Sequence, residues 1–148
     1  MSTVGAEDTT GAGTGTVAVD TSAVVAILLR ERGADELGRA LGRARRRVIS
    51  AATLVELGIV VEARLGPAGR GIVDRFIRDA EIEIVAVDRA TSDRAVDGWR
   101  RYGKGRHRAS LNLGDCFSYA LAVGEGCPIV CTGNDFAETD AAVIRPSN

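Results

Sequence analysis

Four acidic residues, Asp20, Glu56, Asp115 and Asp135, occupy similar places along this chain of 148 residues. Asp20 closes "TVAVD", Glu56 lies in "TLVELGIVVEARLG", Asp115 stands in "SLNLGDCFSYALA", and Asp135 sits in "TGNDF". Each has an ordinary local use. Asp20 can cap a helix beginning at Thr21, and Glu56 can close a capping box with Thr53. Asp115 can complement a helix dipole for roughly 0.3–1 kcal/mol, and Asp135 can set a turn with Asn134. Together they suggest more. Two like charges ~4 Å apart repel by about 4 kcal/mol at an effective dielectric of about 20, so a cluster of carboxylates needs a proton or a cation. Carboxylate oxygens with neighbouring hydroxyls, here Thr21, Ser22 and Thr132, suit Mg2+ or Mn2+. The single histidine, His107, lies in a separate basic stretch, which argues against zinc or histidine-based acid–base chemistry. The pattern fits metal-activated water attacking a phosphodiester.

The elements that must position these acids alternate. Strands are expected at Thr16 to Asp20, Arg46 to Ser50, Ile82 to Asp88 and Pro128 to Thr132, with a last short one in "AAVIRP". Helical stretches separate them: "TSAVVAILLRE", Ala34 to Ala44, "TLVELGIVVEARLG" ending at Gly66 before Pro67, "PAGRGIVDRFIRDA", "ATSDRAVDGWRRYG" and the segment holding Asp115. Strands alternating with helices predict an α/β fold: three layers, α/β/α, around a mainly parallel central sheet. In such a sheet the strand C-termini and helix N-termini share one edge, and open α/β sheets bind ligands there. All four acids map to that edge.

Bulk properties set limits. The length suggests a single domain with a substantial core. The chain is 45% hydrophobic and 26% charged, with a net charge of −1, so any affinity for nucleic acid must come from a local basic surface. Its three cysteines, Cys116, Cys127 and Cys131, form neither a zinc pattern nor an even disulfide set. They read as buried reduced thiols and suggest a cytoplasmic protein. No apolar run reaches the roughly 20 residues of a membrane helix, and the N-terminus does not read as a signal peptide. Residues 1–16, small, polar and glycine-rich, are expected to be a mobile tail. Their "GAGTG" precedes the first strand, so it is not a nucleotide-binding loop.

One local basic surface is available. "RRYGKGRHR", Arg100 to Arg108, holds six basic residues if His107 is charged. Gly103 and Gly105 are expected to keep it flexible, and Lys104, Arg106 and Arg108 are candidate contacts to an RNA backbone. Trp99 and Tyr102 read as core or interface aromatics more readily than as base-stacking residues. "RARRR", Arg43 to Arg47, reads as a solvated helix end.

At these residues the chain resembles a known family. "VAVDTSAVVAIL", "SAATLVELGIVVEAR", "YGKGRHRASLNLGDCFSYALA" and "PIVCTGNDFAETD" are similar to the motif blocks of PIN-domain ribonucleases, above all the VapC toxins of type II toxin–antitoxin systems. The resemblance covers about residues 17–148. It implies a metal site formed by Asp20, Glu56 and Asp115, with Asp135 as fourth acid and Asp140 as the alternative. Ser22 and Thr132 would support it from behind. It also implies an Mg2+- or Mn2+-dependent endoribonuclease acting on structured RNA (transfer or ribosomal), a homodimer, and a VapB antitoxin whose C-terminal segment covers the acidic pocket. Rival readings are a housekeeping PIN-domain RNA-processing nuclease and a non-catalytic RNA- or protein-binding module. Phosphotransfer folds fit less well. Ser22 stands where a dehalogenase-type phosphatase has a second aspartate, and no lysine follows Ile129 to Thr132 as a receiver domain requires.

Overall fold

The computed structural model describes residues 15–147. Five strands, β1 (Thr16–Val19), β2 (Arg46–Ser50), β3 (Ile82–Val85), β4 (Ile129–Val130) and β5 (Val143–Ile144), form one sheet in the order β3-β2-β1-β4-β5. Every strand pairing is parallel. Six helices connect them: α1 (Thr21–Leu28), α2 (Ala34–Arg43), α3 (Ala51–Leu65), α4 (Gly69–Asp79), α5 (Arg89–Tyr102) and α6 (Leu113–Glu125). The expected three-layer α/β fold is present, and its sheet is wholly rather than mainly parallel.

The sheet separates two apolar cores because successive residues of a strand point to opposite faces. Val17, Val19 and Ile49 join Leu37, Leu57, Val73 and their neighbours from α1 to α4. Ala18 and Val48 face the other way, onto Ala95 of α5, Tyr119 and Leu121 of α6, Leu111 and Phe136. Each fully buried Leu or Ile contributes roughly 1.5–3 kcal/mol, so the strand alternation itself holds both helical layers.

Several boundaries moved from their sequence positions. The expected strand Ile82 to Asp88 ends at Val85, because its partner β2 ends at Ser50, directly opposite. Asp88 instead caps α5, its carboxylate accepting from Thr91 N at 2.8 Å. The expected strand Pro128 to Thr132 narrows to Ile129–Val130 beside the end of β1. Thr16 opens β1, where the first strand was expected to begin, and Gly15 O accepts Arg45 N–H at 3.0 Å. The expected tail otherwise lies outside the described residues. "RARRR" is not the solvated helix end expected: only Arg43 belongs to α2, Ala44 is buried, and Arg46 and Arg47 lie in β2. Arg46 pairs with Glu83 and Glu125, while Arg47 donates to Leu41 O and Ala44 O, both at 2.8 Å.

Candidate active site

The strand order reverses direction between β1 and β4, which makes a crevice at their carboxyl ends, the usual ligand position in such sheets. Asp20 sits at that point, one residue past β1 and 4% exposed. Its local role is real: it caps α1, one oxygen (Oδ2) accepting from Ser22 N at 3.0 Å and Ser22 Oγ at 2.7 Å. Its other oxygen, Oδ1, accepts from Ser118 Oγ at 2.6 Å. A carboxylate only accepts, so the Ser118 proton is committed to Asp20, and Thr53 Oγ1, 3.3 Å from Ser118 Oγ, is the donor to Ser118. Ser22 Oγ in turn accepts Thr132 N–H at 3.1 Å. A chain of hydroxyls thus fixes Asp20 from α1, α3, α6 and the end of β4. Ser22 takes its expected supporting position, while Thr132 contributes its backbone N–H.

Ser118 and Thr53 hold Asp20 in place, a role that the sequence reading missed. The available signal was a serine in an apolar helix, three residues and so about one turn after Asp115, and a threonine three before Glu56. Both are buried, with relative exposures of 1% and 0%. Ser118→Ala leaves Asp20 Oδ1 and the Thr53 hydroxyl unmatched and is expected to lower stability by about 1–3 kcal/mol. Chemical denaturation of parent and variant measures it, and a midpoint unchanged with equal m-values would show the network to be incidental.

Glu56 departs from its expected local role. The helix α3 starts at Ala51, with Ser50 Oγ accepting Ala52 N–H as the cap, so Glu56 lies beyond the first turn and closes no capping box with Thr53. Its Oε1 instead accepts Thr21 Oγ1–H at 2.5 Å. Its carboxylate lies against the backbone of Gly114, where any side chain would overlap it. That contact places Glu56 beside the first turn of α6, next to Asp115.

Asp115 does complete a capping box: Asn112 Oδ1 accepts Asp115 N–H at 2.9 Å and Asp115 Oδ2 accepts Asn112 N–H at 3.0 Å. A purely local acid would be held low by this bond and the helix dipole. Asp115 is instead pushed up to about 6, mainly by burial, against the lowering bond from Asn112, with Asp20, Asp135 and Glu56 adding repulsion. Cys131, beneath the crevice, is pushed up to about 12 by burial first and then by Asp20. Asp135 is exposed and precedes a 3-10 turn, Phe136–Glu138, without capping it by its side chain. Asn134, its neighbour, is held by Arg145 Nη1 at 2.5 Å. Asp140, the alternative fourth acid, is engaged elsewhere, by Tyr119 Oη at 2.7 Å and Arg101 Nη2 at 3.4 Å.

Among the described residues, none of the four acids is in an ion pair. Nor do three or more His, Cys, Asp or Glu side chains there stand close enough to form a ready metal cage. Glu56 and Asp115 rest on their own protein donors, as mutually repelling carboxylates should. The donor set is all oxygen, anionic and uncompensated, and this suits a hard divalent cation.

The basic stretch is folded, contrary to the flexibility expected of its glycines. Leu111 N–H donates to Tyr102 O and Lys104 N–H to Leu111 O, both at 2.9 Å, and Ala109 and Leu111 are fully buried. Gly103 is needed for close approach, since a side chain there would strike Trp99. Arg108 pairs with Glu138 at 2.6 Å, Arg106 lies over the Trp99 ring, and Lys104 is exposed. The three cysteines are free thiols. No helix among the described residues is long and apolar enough to cross a membrane.

A family model described as the PIN domain matches residues 17–142. Ribonuclease VapC of Mycolicibacterium smegmatis is 46% identical over 127 residues, spanning 86% of this chain and 98% of that protein. Ribonuclease VapC30 of Mycobacterium tuberculosis is 43% identical over 126 residues, spanning 85% and 96%. Among solved structures, VapC20 of Mycobacterium tuberculosis, described as a Sarcin-Ricin loop cleaving toxin, superposes with a TM-score of 0.72 at 16% identity, covering 88% of this chain and 99% of that one. VapBC2 from Rickettsia felis, bound to a DNA fragment from its promoter, gives 0.69 at 14% identity, covering 89% and 99%. Both share the fold.

Proposed function

This chain belongs to the PIN-domain family, and from that premise we propose that it is a VapC-type toxin: an endoribonuclease that uses Mg2+ or Mn2+ to cleave structured RNA and is silenced by a VapB-type antitoxin. The observation that carries the reading is the convergence of Asp20, Glu56 and Asp115 from three elements on one sheet-edge crevice, with no cation among the described residues paired to them. Asp20, Glu56, Asp115 and Asp135 would hold the metal. A divalent cation there supplies Lewis-acid activation of the attacking water and charge neutralisation at the phosphodiester.

The chain's own residues do the positioning. Asp20, fixed by Ser22 and Ser118, is the rigid member of the set. Glu56 is steadied by Thr21 on one side and confined by Gly114 on the other. Asp115 keeps one oxygen, Oδ2, on its helix cap. Asp135, exposed at the rim, completes the acidic edge. Lys104, Arg106 and Arg108 offer cationic contacts for the RNA backbone, which position a substrate without choosing its sequence. The family reading also proposes a homodimer and a transfer or ribosomal RNA target, acting in the cytoplasm.

Expression of the chain alone is expected to arrest growth, and co-expression of the cognate antitoxin to relieve it. Purified protein should generate new RNA ends in Mg2+ or Mn2+ and none in EDTA. Unimpaired growth at verified soluble expression, with total RNA left intact in vitro, would count decisively against the toxin.

A further inference from the structure

Between α5 and α6 lies an open groove of about 650 Å³. Its floor is apolar, with Ala95, Leu111 and Cys116 buried. Its rim carries Trp99, 45% exposed, whose ring packs against Gly103 on one edge. The Arg106 guanidinium lies 4.7 Å above the Trp99 ring and is held there by a bond from its Nε to Arg100 O at 3.1 Å. Lys104 lines the same groove, and among the described residues no aspartate or glutamate does. Asn112 closes one end, and its backbone N–H is bound by Asp115. The groove therefore adjoins the carboxylate crevice along the first turn of α6.

We propose that Trp99, braced by Arg106, is a stacking platform that seats one unpaired base of the RNA substrate beside the carboxylates. This rests on the ribonuclease reading and adds a positioning residue to it. The charge pattern selects the occupant. An apolar protein segment needs no cations around it, whereas a nucleotide presents a flat apolar base and an anionic phosphate together. A groove with a half-exposed aromatic ring, cations at its rim and, among the described residues, no acid in its lining matches both halves. Stacking tolerates any base, so it would position the strand and leave the choice of cut site to RNA shape.

Trp99 is the single tryptophan of the chain, so its fluorescence reports on this groove alone. The full-length protein is titrated in EDTA with a short single-stranded RNA of mixed sequence and with the same strand made abasic. Anisotropy reads binding, and a gel checks that the RNA stays intact. The base-bearing strand is expected to quench the tryptophan saturably. The abasic strand, and the Trp99→Ala variant with normal RNA, should each bind about 5–150-fold more weakly. Trp99→Phe should restore most of the affinity and Arg106→Ala should fall between, with melting curves confirming that all three fold. RNA binding with unchanged fluorescence, and unaltered in Trp99→Ala, overturns the platform and leaves the ribonuclease standing. A Trp99→Ala variant that binds RNA normally but loses self-association or antitoxin affinity makes the groove a protein interface and also overturns it. A parent that neither binds RNA nor cuts it when metal is restored removes the ribonuclease reading, and the platform with it.

Discussion

Replacing Asp115 by asparagine is expected to abolish most RNA cleavage while leaving the metal-free protein at least as stable as its parent. The partners behind metal ligands are commonly worth roughly 10–100-fold, so a ligand itself should cost at least about a hundredfold. Stability behaves differently because Asp115 has two roles with opposite signs. Asparagine keeps an oxygen for the Asn112 N–H, so the capping loss is at most about 0.3–1 kcal/mol. Against it stands the removal of a half-buried charge beside three other carboxylates. The folded carboxyl titrates at about 6 rather than its ordinary 3.8. A raised acid contributes its stability in full below the unfolded pKa and loses it as pH rises through the folded one. In EDTA the parent should therefore lose melting temperature between about pH 4 and pH 6, and Asp115→Asn should lack that component. Added Mg2+ or Mn2+ should raise the parent's melting temperature more than the variant's, since only ligand bound to the folded state stabilises it. Near-parental cutting by the variant, or a parent indifferent to both metal and pH, would return Asp115 to its helix cap.

The Gly114→Ala variant is expected to lose cleavage by about 10–100-fold while folding as well as its parent. Gly114 is the second residue of α6, where alanine is the better helix former by up to about 1 kcal/mol. The space its methyl would need is taken by the Glu56 carboxylate, the movable end of a flexible side chain. The fold therefore yields at little cost, and what yields is Glu56, driven from Thr21 and from its place beside Asp115. Melting curves and cleavage rates separate the two effects. The same substitution in a Glu56→Gln background supplies the control. If Gly114→Ala acts by displacing Glu56, it should add almost nothing once that carboxylate is gone. Additive losses would mean that Gly114 matters for α6 itself, or for a direct approach of substrate to its backbone.

How far these outcomes could be foreseen differs from residue to residue. Asp20 and Glu56 were legible because each follows a strand end, and Asp115 because it opens the helix that leads into β4; the parallel alternation puts such positions on one edge. Ser22 was legible through its nearness to Asp20. Ser118 was not, because its hydroxyl acts on a residue 98 positions away and nothing in its own neighbourhood points there. The basic stretch misled for the same reason. Its glycines suggest mobility, and only packing shows that Gly103 is small so that the chain can fold against Trp99.

The sequence by itself determined which segments are helices and strands, that the sheet is parallel, and that acids gather at its carboxyl edge. These follow from local causes: apolar periodicity, breakers such as Gly66 with Pro67, and the short reach of backbone hydrogen bonds. Only the tertiary structure decided the strand order, and with it the switch point where Asp20 lies. It also decided where strands stop, because a strand ends when its neighbour does, as β3 ends opposite Ser50. It set the Glu56 carboxylate on Gly114, two residues 58 apart in the chain. Such contacts arise when two cores close on opposite faces of one sheet, and that closure depends on the summed shape of the whole chain rather than on any stretch of it.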